Sequence, residues 1–197
     1  MSKNAIVSVT NDLYTDNRVG KVCALLVSQG YQVTLIGRRT RNSVALPGRP
    51  YKTVRMKLLF EKGVLFYATF NIRLFLYLIT HRSALLVSND LDTLLANYVA
   101  KKLKRKTRLV YDSHELFTEV PELINRPKTQ KIWLKIERWI FPKLDSVYTV
   151  NDSIASIYEN KYGRKVEVVR NVSPRWLSPK LKSKEELGIP LNKGLII

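Results

Sequence analysis

Cysteine occurs once in the 197 residues, at Cys23, and histidine only twice. One thiol closes no intrachain disulfide, and two imidazoles with one thiol fall short of a structural zinc site. No metal or cofactor is expected, and the cysteine usage fits a reducing compartment. Acidic residues are scarce as well: 16 Asp and Glu stand against 34 Lys and Arg, a formal charge of +18. That excess points to an anionic partner, whether nucleic acid, an acidic membrane surface or a phosphorylated small molecule. Long apolar runs are missing too. Ala5 to Val9 is too short for a signal-peptide core, and no small-residue cleavage site follows it. Val64 to Ile79 spans sixteen residues and carries Asn71 and Arg73, whereas a membrane helix needs about 20 apolar residues. Its Lys62, Thr69, Arg73 and Thr80 fall on one stripe at helical spacing, which predicts a mostly buried helix with one wetted edge.

What is present is enough for a core. Apolar residues make up 45% and charged residues 25%, which excludes a disordered chain. The pattern alternates. Strands are predicted at Ile6–Val9, Gln32–Ile36, Thr53–Met56, Ala84–Val87, Leu109–Tyr111, Ser146–Val150 and Val166–Val169. Helices are predicted at Val19–Val27, Val64–Ile79, Leu91–Leu103, Lys128–Phe141 and Ser153–Tyr162, with Asn89 or Asp90 as the cap of the third. Short Val-, Ile- and Leu-rich strands alternating with helices give an α/β, Rossmann-like three-layer sandwich with a mainly parallel sheet. Residues 1–172 form this domain. Residues 173–197 read as a Pro- and Lys-rich linker, a short helical turn at Glu185–Pro190, and the start of a second domain whose first strand would begin at Leu195–Ile197.

In open parallel sheets ligands bind at the carboxyl ends of the strands. Those ends carry Asn11-Asp12 through Asn17-Arg18, Arg38-Arg39-Thr40-Arg41, Ser88-Asn89-Asp90, Asp112-Ser113-His114-Glu115, Asn151-Asp152 and Arg170-Asn171. Taken in order, five pieces resemble the N-terminal domain of a GT-B glycosyltransferase of the group 1, or family 4, type. They are the opening strand with Asn17-Arg18-Val19, Gly30-Tyr31-Gln32-Val33-Thr34, Tyr111-Asp112-Ser113-His114-Glu115, Thr149-Val150-Asn151, and Val168-Val169-Arg170-Asn171. Lys184 to Pro190 is similar to the segment that precedes the family's second domain.

The resemblance implies two Rossmann-like domains facing across a cleft. The absent C-terminal domain would hold the nucleotide-sugar donor, and this one would hold a saccharide or lipid-linked acceptor. One departure stands out. Many relatives carry a glycine pair in the loop after the first strand, and Asn11 to Asn17 has no glycine. That leaves the side chains of Asn11, Asp12 and Arg18 to do the work, or a different mode of binding.

His114 is the sharpest catalytic candidate, and by resemblance it matches the family's site histidine. A neutral imidazole hydrogen-bonds a sugar hydroxyl, and an imidazolium offsets charge on a leaving phosphate. The plainer alternative is a loop histidine held by Asp112. Asp112 and Glu115 are candidates for acid/base work or for orienting His114, with a turn-forming role open for Asp112. Arg18 is either an anion contact or a solvated helix residue. Asn89 is either a ligand contact or a cap, and Asn151 and Asn171 complete the candidate acceptor and donor contacts.

Two basic clusters remain. Lys101 to Arg108 holds six basic residues in eight but lies at the amino ends of the strands, away from the site. It is a solvated face or a patch for an acidic membrane. In Lys128 to Phe141, Lys128, Lys131, Lys135 and Arg138 share one face, and Ile132, Trp133, Ile136, Trp139 and Ile140 share the other. That is the pattern of an interfacial helix and equally of a surface helix packed on its own domain. A basic peripheral membrane module and a nucleic-acid-binding module are the alternatives to the transferase. No nucleic-acid reader motif is present, so nucleic acid is the least favoured partner. The expected location is cytoplasmic, at the inner face of a membrane if the basic surfaces bind one.

Overall fold

The computed structural model describes residues 3–172, 183–190 and 192. Seven parallel strands form one sheet: β1 (Lys3–Asp12), β2 (Tyr31–Arg39), β3 (Lys52–Lys57), β4 (Leu85–Asn89), β5 (Arg108–Ser113), β6 (Ser146–Thr149) and β7 (Glu167–Val168). Their order is β3-β2-β1-β4-β5-β6-β7. The chain therefore reverses direction between β1 and β4, where Ala5 to Ser8 pair with Leu85 to Ser88. In a parallel sheet such a switch point opens a crevice above the strand ends.

Side-chain alternation sorts the helices. Ala5, Val7 and Val9 point to one face and pack with Val19 and Cys23 of α1 (Asn17–Ser28). Ile6, Ile36, Leu86, Leu109 and Val147 point to the other. There they meet α2 (Gly63–Thr80), α3 (Leu91–Leu103), α5 (Pro127–Ile140) and α6 (Asp152–Tyr162). The short α4 (Pro121–Ile124) precedes α5.

Both ends of the connection after β5 differ from the sequence reading. The strand continues through Asp112 and Ser113, both fully buried, so Asp112 is a strand residue. The long loop is also partly folded. A 3-10 turn at Phe117–Glu119 and α4 bury Phe117, Thr118 and Leu123, and Gln130 Nε2 donates to Thr118 O at 2.8 Å.

The loop after β1 contains no glycine, and the close approach beside it is made at Gly37 of β2. A Cβ on Gly37 of β2 would lie 2.7 Å from Asn11 O and closer still to the Leu13 side chain.

Helix α2 is covered less than its pattern predicts. Phe66, Phe70, Leu74 and Leu78 are its buried residues. The outward face, with Leu65, Ile72 and Leu76, is open, because the helix is the outer layer of the sheet and nothing described packs beyond it. It is the one described helix long and apolar enough to cross a bilayer by length and composition. Four buried side chains at about 1.5–3 kcal/mol each match the whole stability of a typical domain, so a helix that left for the bilayer would take the fold with it.

Asn71, odd by periodicity, clasps α2 to α3. Its Nδ2 donates to Asp92 O at 2.7 Å, and its Oδ1 accepts from Ala96 N at 3.2 Å.

Helix α5 also differs. Trp133 and Ile140 are buried, but Ile132 and Trp139 lie on the exposed side with Lys128, Lys131, Lys135 and Arg138. Buried Glu137 takes their place, holding Lys161 Nζ at 2.7 Å and the Tyr162 hydroxyl. In the basic cluster, Lys101 pairs with Asp145 at 2.8 Å, and Lys104 Nζ caps the Leu78 and His81 carbonyls at the end of α2. Cations there suit a helix C-terminus.

Ser183 and Glu186 close a reciprocal cap ahead of the turn that ends at Gly188. The predicted strand at Leu195–Ile197 lies outside the described residues.

Candidate active site at the carboxyl edge of the sheet

Asp90 is the structural oddity of this edge. It is the one described non-glycine residue with positive φ, at 58°, a region that costs an L-residue about 1–3 kcal/mol. It stands at the N-terminus of α3, where a cap was expected from Asn89 or Asp90, yet neither side chain caps the helix. Asn89 Nδ2 instead donates across the sheet to Ser8 O at 3.0 Å. Asp90 N donates to Asp112 O at 2.9 Å, and this bond holds the strained residue over β5. From there Asp90 Oδ2 reaches His114 Nε2 at 3.0 Å. The partner of the imidazole is therefore Asp90, and neither Asp112 nor Glu115 orients it.

Asp112 is committed elsewhere. Its Oδ1 forms an ion pair with Arg18 Nη2, and its Oδ2 accepts from the Tyr148 hydroxyl at 2.8 Å. Burial raises its carboxyl, and the Arg18 charge works against that rise. Arg18 is thus neither solvated nor free. Its side chain is 15% exposed, and its Nη1 is buried with no partner among the described residues. Glu115 is exposed, and partial burial with Glu122 nearby raises its carboxyl.

The β1–α1 loop residues turn away from His114. Asp12 accepts from Ser43 and from Tyr14 N and faces Arg55 at 3.6 Å, all on the β2–β3 side or within its own turn. Burial opposes ionisation there, but those bonds and Arg55 outweigh it, so the carboxyl lies below the ordinary range. Asn11 only braces Asp16, the cap of α1.

Across from Asp90 an open groove of 650 Å³ is lined by Arg18, His114, Val150, Asn151, Arg170, Asn171 and Val172. Asn151 caps α6 through a 2.9 Å bond from Ile154 N, so a helix N-terminus with its partial positive charge abuts the groove. Asn171 Oδ1 accepts from Lys21 Nζ at 3.0 Å. Arg170, which pairs with Asp152 at 2.8 Å, was not among the sequence candidates. Its signal was its place beside Asn171 at a strand's carboxyl end. Asp90 reads with Asn89 as a helix cap ahead of a ligand contact, and Asp92 was missed; both look like helix-start residues.

The site therefore has two sides. Arg18 and Arg170 line the groove beside the α6 terminus. Asp90 lies behind His114, with the charges of Asp92 and Glu115 near it. His114 connects the two. His114 Nδ1, Arg18 Nη1 and Asp90 Oδ1 are buried without a partner among the described residues, which is costly unless a ligand satisfies them. Burial raises the Asp90 carboxyl well above its usual range, helped by Asp92, Glu115 and Asp112 and offset by Arg18. The 3.0 Å contact between Asp90 and His114 holds one proton. On the carboxyl it makes Nδ1 the ring's N–H. On Nε2 of a neutral ring it makes Nδ1 an acceptor.

Asp92 gives this edge a measurable pH signature. It is fully buried, accepts from the Thr10 hydroxyl at 2.5 Å, and burial pushes its carboxyl up to about 7 against that bond. Between about pH 4 and about pH 7 the folded chain then binds a proton that the unfolded chain has lost. Stability from this group is complete below that window and falls as pH rises through it, by up to roughly 1.4 kcal/mol per pH unit. Urea unfolding of Asp92→Asn across the window should show a shallower fall, with Asp90, Asp112 and Glu115 contributing to the remainder. An unchanged slope would assign the titration to other groups.

The family model Glycosyltransferase Family 4 matches residues 17–172. Sucrose-phosphate synthase from Thermosynechococcus elongatus superposes with a TM-score of 0.66 at 15% identity, over 96% of this chain and 53% of that one. The lipopolysaccharide outer core galactosyltransferase WaaB gives 0.56 at 12%, over 86% and 45%. UDP-GlcNAc 2-epimerase from Methanocaldococcus jannaschii gives 0.55 at 12%, over 86% and 45%. The chain spans about half the length of these proteins. At such identities they share its fold, the N-terminal half of a GT-B architecture, and the epimerase shows that this fold is not confined to transfer. No curated protein sequence matches the chain.

Proposed function

From the premise that this chain belongs to glycosyltransferase family 4, we propose that it forms the acceptor side of an enzyme moving a sugar from a nucleotide-sugar donor to a saccharide or lipid-linked acceptor. The single observation that carries this reading is the linked set Arg18–Asp112–Asp90–His114, which leaves three buried polar atoms unsatisfied at one strand edge. A polyhydroxylated ligand supplies both donors and acceptors to such a set.

In this reading Asp90 positions the ring, and His114 Nδ1 meets a sugar hydroxyl or the departing phosphate. Arg18 and Arg170, with the α6 N-terminus, favour the anionic side of the donor. Asn151 and Asn171 border the same groove. Residues 173–197 lead toward a second, donor-holding domain, without which the chain transfers no sugar at a useful rate. Transfer proceeds with retention at the anomeric carbon, as the family resemblance implies. No cofactor is called for, because the nucleotide sugar is itself a substrate. The place of action is the cytoplasm, in the building of a polysaccharide or glycolipid.

The test is NMR of the imidazole signals. Oligosaccharides and sugar nucleotides, titrated separately into the 197-residue chain, should perturb the His114 resonances and leave those of His81 unmoved. His81 stacks on Tyr77 at the amino edge and serves as the internal control. Saturable shifts at His81 alone, or none at either ring with any saccharide or sugar nucleotide, would overturn the reading.

A further inference from the structure

We propose that the outer faces of α2 and α5 form one docking surface for an anionic bilayer. It inserts apolar side chains of α2 while the cations of α5 meet lipid phosphates. The two helices bury their inner faces against the same side of the sheet. They also touch directly, with Tyr67 and Trp133 edge to face at 5.2 Å. Their outer faces therefore look the same way.

On α2 that face is an apolar stripe. Leu65, Ala68, Ile72 and Leu76 follow helical spacing, and the three larger ones are each more than half exposed. The preceding turn adds Leu59, 93% exposed, and Phe60. Single exposed apolar residues need no explanation, but a contiguous set marks an interaction site.

Polar groups on α2 are suited to apolar surroundings. Thr69 and Thr80 hydroxyls donate to the Leu65 and Leu76 carbonyls at 2.7 and 2.9 Å, and Arg73 bonds the Lys57 carbonyl. The two hydroxyls are bonded within the helix, so burying them forfeits little, whereas the Arg73 charge has to stay at the headgroup level.

The charge decides the occupant. From Arg126 to Lys143 there are six basic residues, and the one acid, Glu137, is buried and paired. From Arg38 to Arg82 there are ten basic residues and one acid, Glu61. A second copy of this chain would bring the same positive field against itself. Nucleic acid would satisfy the cations and leave the apolar stripe wet. An anionic bilayer satisfies both, by shallow burial of apolar side chains and attraction at the headgroups.

The turn at Leu59 and the first turn of α2 also lie at the carboxyl end of β3, the sheet edge that carries the candidate site. A bilayer there would deliver a lipid-linked acceptor to the flank of that site. This last point rests on the function proposed above; the binding itself does not.

The test is co-flotation of the full chain with vesicles of phosphatidylcholine alone or mixed with phosphatidylglycerol, without sugar or nucleotide. Binding is expected only to the mixed vesicles and should weaken as salt rises, because exposed charges are screened beyond about 8 Å at physiological ionic strength. Ile72→Glu with Leu76→Glu should lower it at least tenfold at low salt, with the helical circular-dichroism signal intact. Leu59→Glu, in a loop where no helix can break, should lower it as well. Lys131→Glu with Lys135→Glu should remove most of the salt dependence. Equal binding to neutral vesicles would overturn the proposal, as would binding indifferent to the apolar changes. A dimer abolished by those changes would assign the face to a second copy. Duplex DNA bound more tightly than the mixed vesicles would assign it to nucleic acid. Saccharide binding at His114 can fail while docking holds, so the two proposals fall separately.

Discussion

Replacing His114 by alanine should lower kcat by about 100–1000-fold when this domain is joined to a nucleotide-sugar-binding partner domain. The melting temperature should move by less than about 3 °C. The contrast follows from where the ring sits. His114 leaves the buried strand β5 at its carboxyl end and is only partly covered, so truncation opens no core cavity. Its partner among the described residues is Asp90. Nδ1 has none, and in the proposed mechanism it meets the reacting sugar or the leaving phosphate.

Asp90→Asn separates positioning from contact. It keeps the ring's neighbour and its shape but replaces a titrating carboxyl with an amide that does not change protonation. That variant should hold kcat within about tenfold at its optimum, on the scale of one altered hydrogen bond. It should also flatten the limb of the pH–rate profile that the pair controls. KM for the donor should change little in either variant if the ring acts in the transition state. A near-normal kcat in a folded His114→Ala enzyme would reduce the ring to a support for its loop. Collapse of the fold would give it a structural role instead.

The fold was legible in the sequence because it rests on local periodicity. Leu91–Leu103 has the predicted bounds, and each predicted strand is found, most of them longer by a residue or more. The strand ends were read short where polar residues continue the ladder. Asp112 and Ser113 look like loop residues, yet they pair with Tyr148 and Thr149 of β6, and their side chains are satisfied by Arg18, Tyr148 and Tyr158.

Residues that resemble one another by type separate by partner. Asp90 and Asp92 both suit a helix start, and local propensity assigns them there. Asp90 is drawn away by the carbonyl of Asp112 on β5 and by His114 just past its end, and no local rule contains that information. Exposure of α2 and α5 was hidden for a related reason. Hydropathy records which residues could be covered. Whether Ile72, Leu76, Ile132 and Trp139 are covered depends on what lies beyond the helix layer. The position of the site edge, by contrast, followed from strand direction alone, and His114, Arg18, Asn151 and Asn171 all border one groove there.

Arg18 decides between two readings that differ by a wide margin. As a solvated residue in the first turn of α1, its loss would change stability by no more than about 0.5 kcal/mol. As the partner of fully buried Asp112, it leaves a carboxylate without its counter-charge, and breaking such a pair costs about 3–5 kcal/mol. We expect Arg18→Ala to fall in the larger range near neutral pH.

The sign of its pH dependence follows from the same geometry. Burial already raises the Asp112 carboxyl, and Arg18 opposes that rise. Without Arg18 the carboxyl climbs further and takes up a proton more readily, so the penalty should shrink as pH falls. Asp112→Asn placed on top of Arg18→Ala should recover part of the loss, since a neutral amide needs no counter-charge and still accepts from the Tyr148 hydroxyl. The test is a double-mutant cycle by urea unfolding, at neutral and acid pH. A loss below about 0.5 kcal/mol, or one that grows on acidification, would show that Arg18 and Asp112 do not depend on each other for stability.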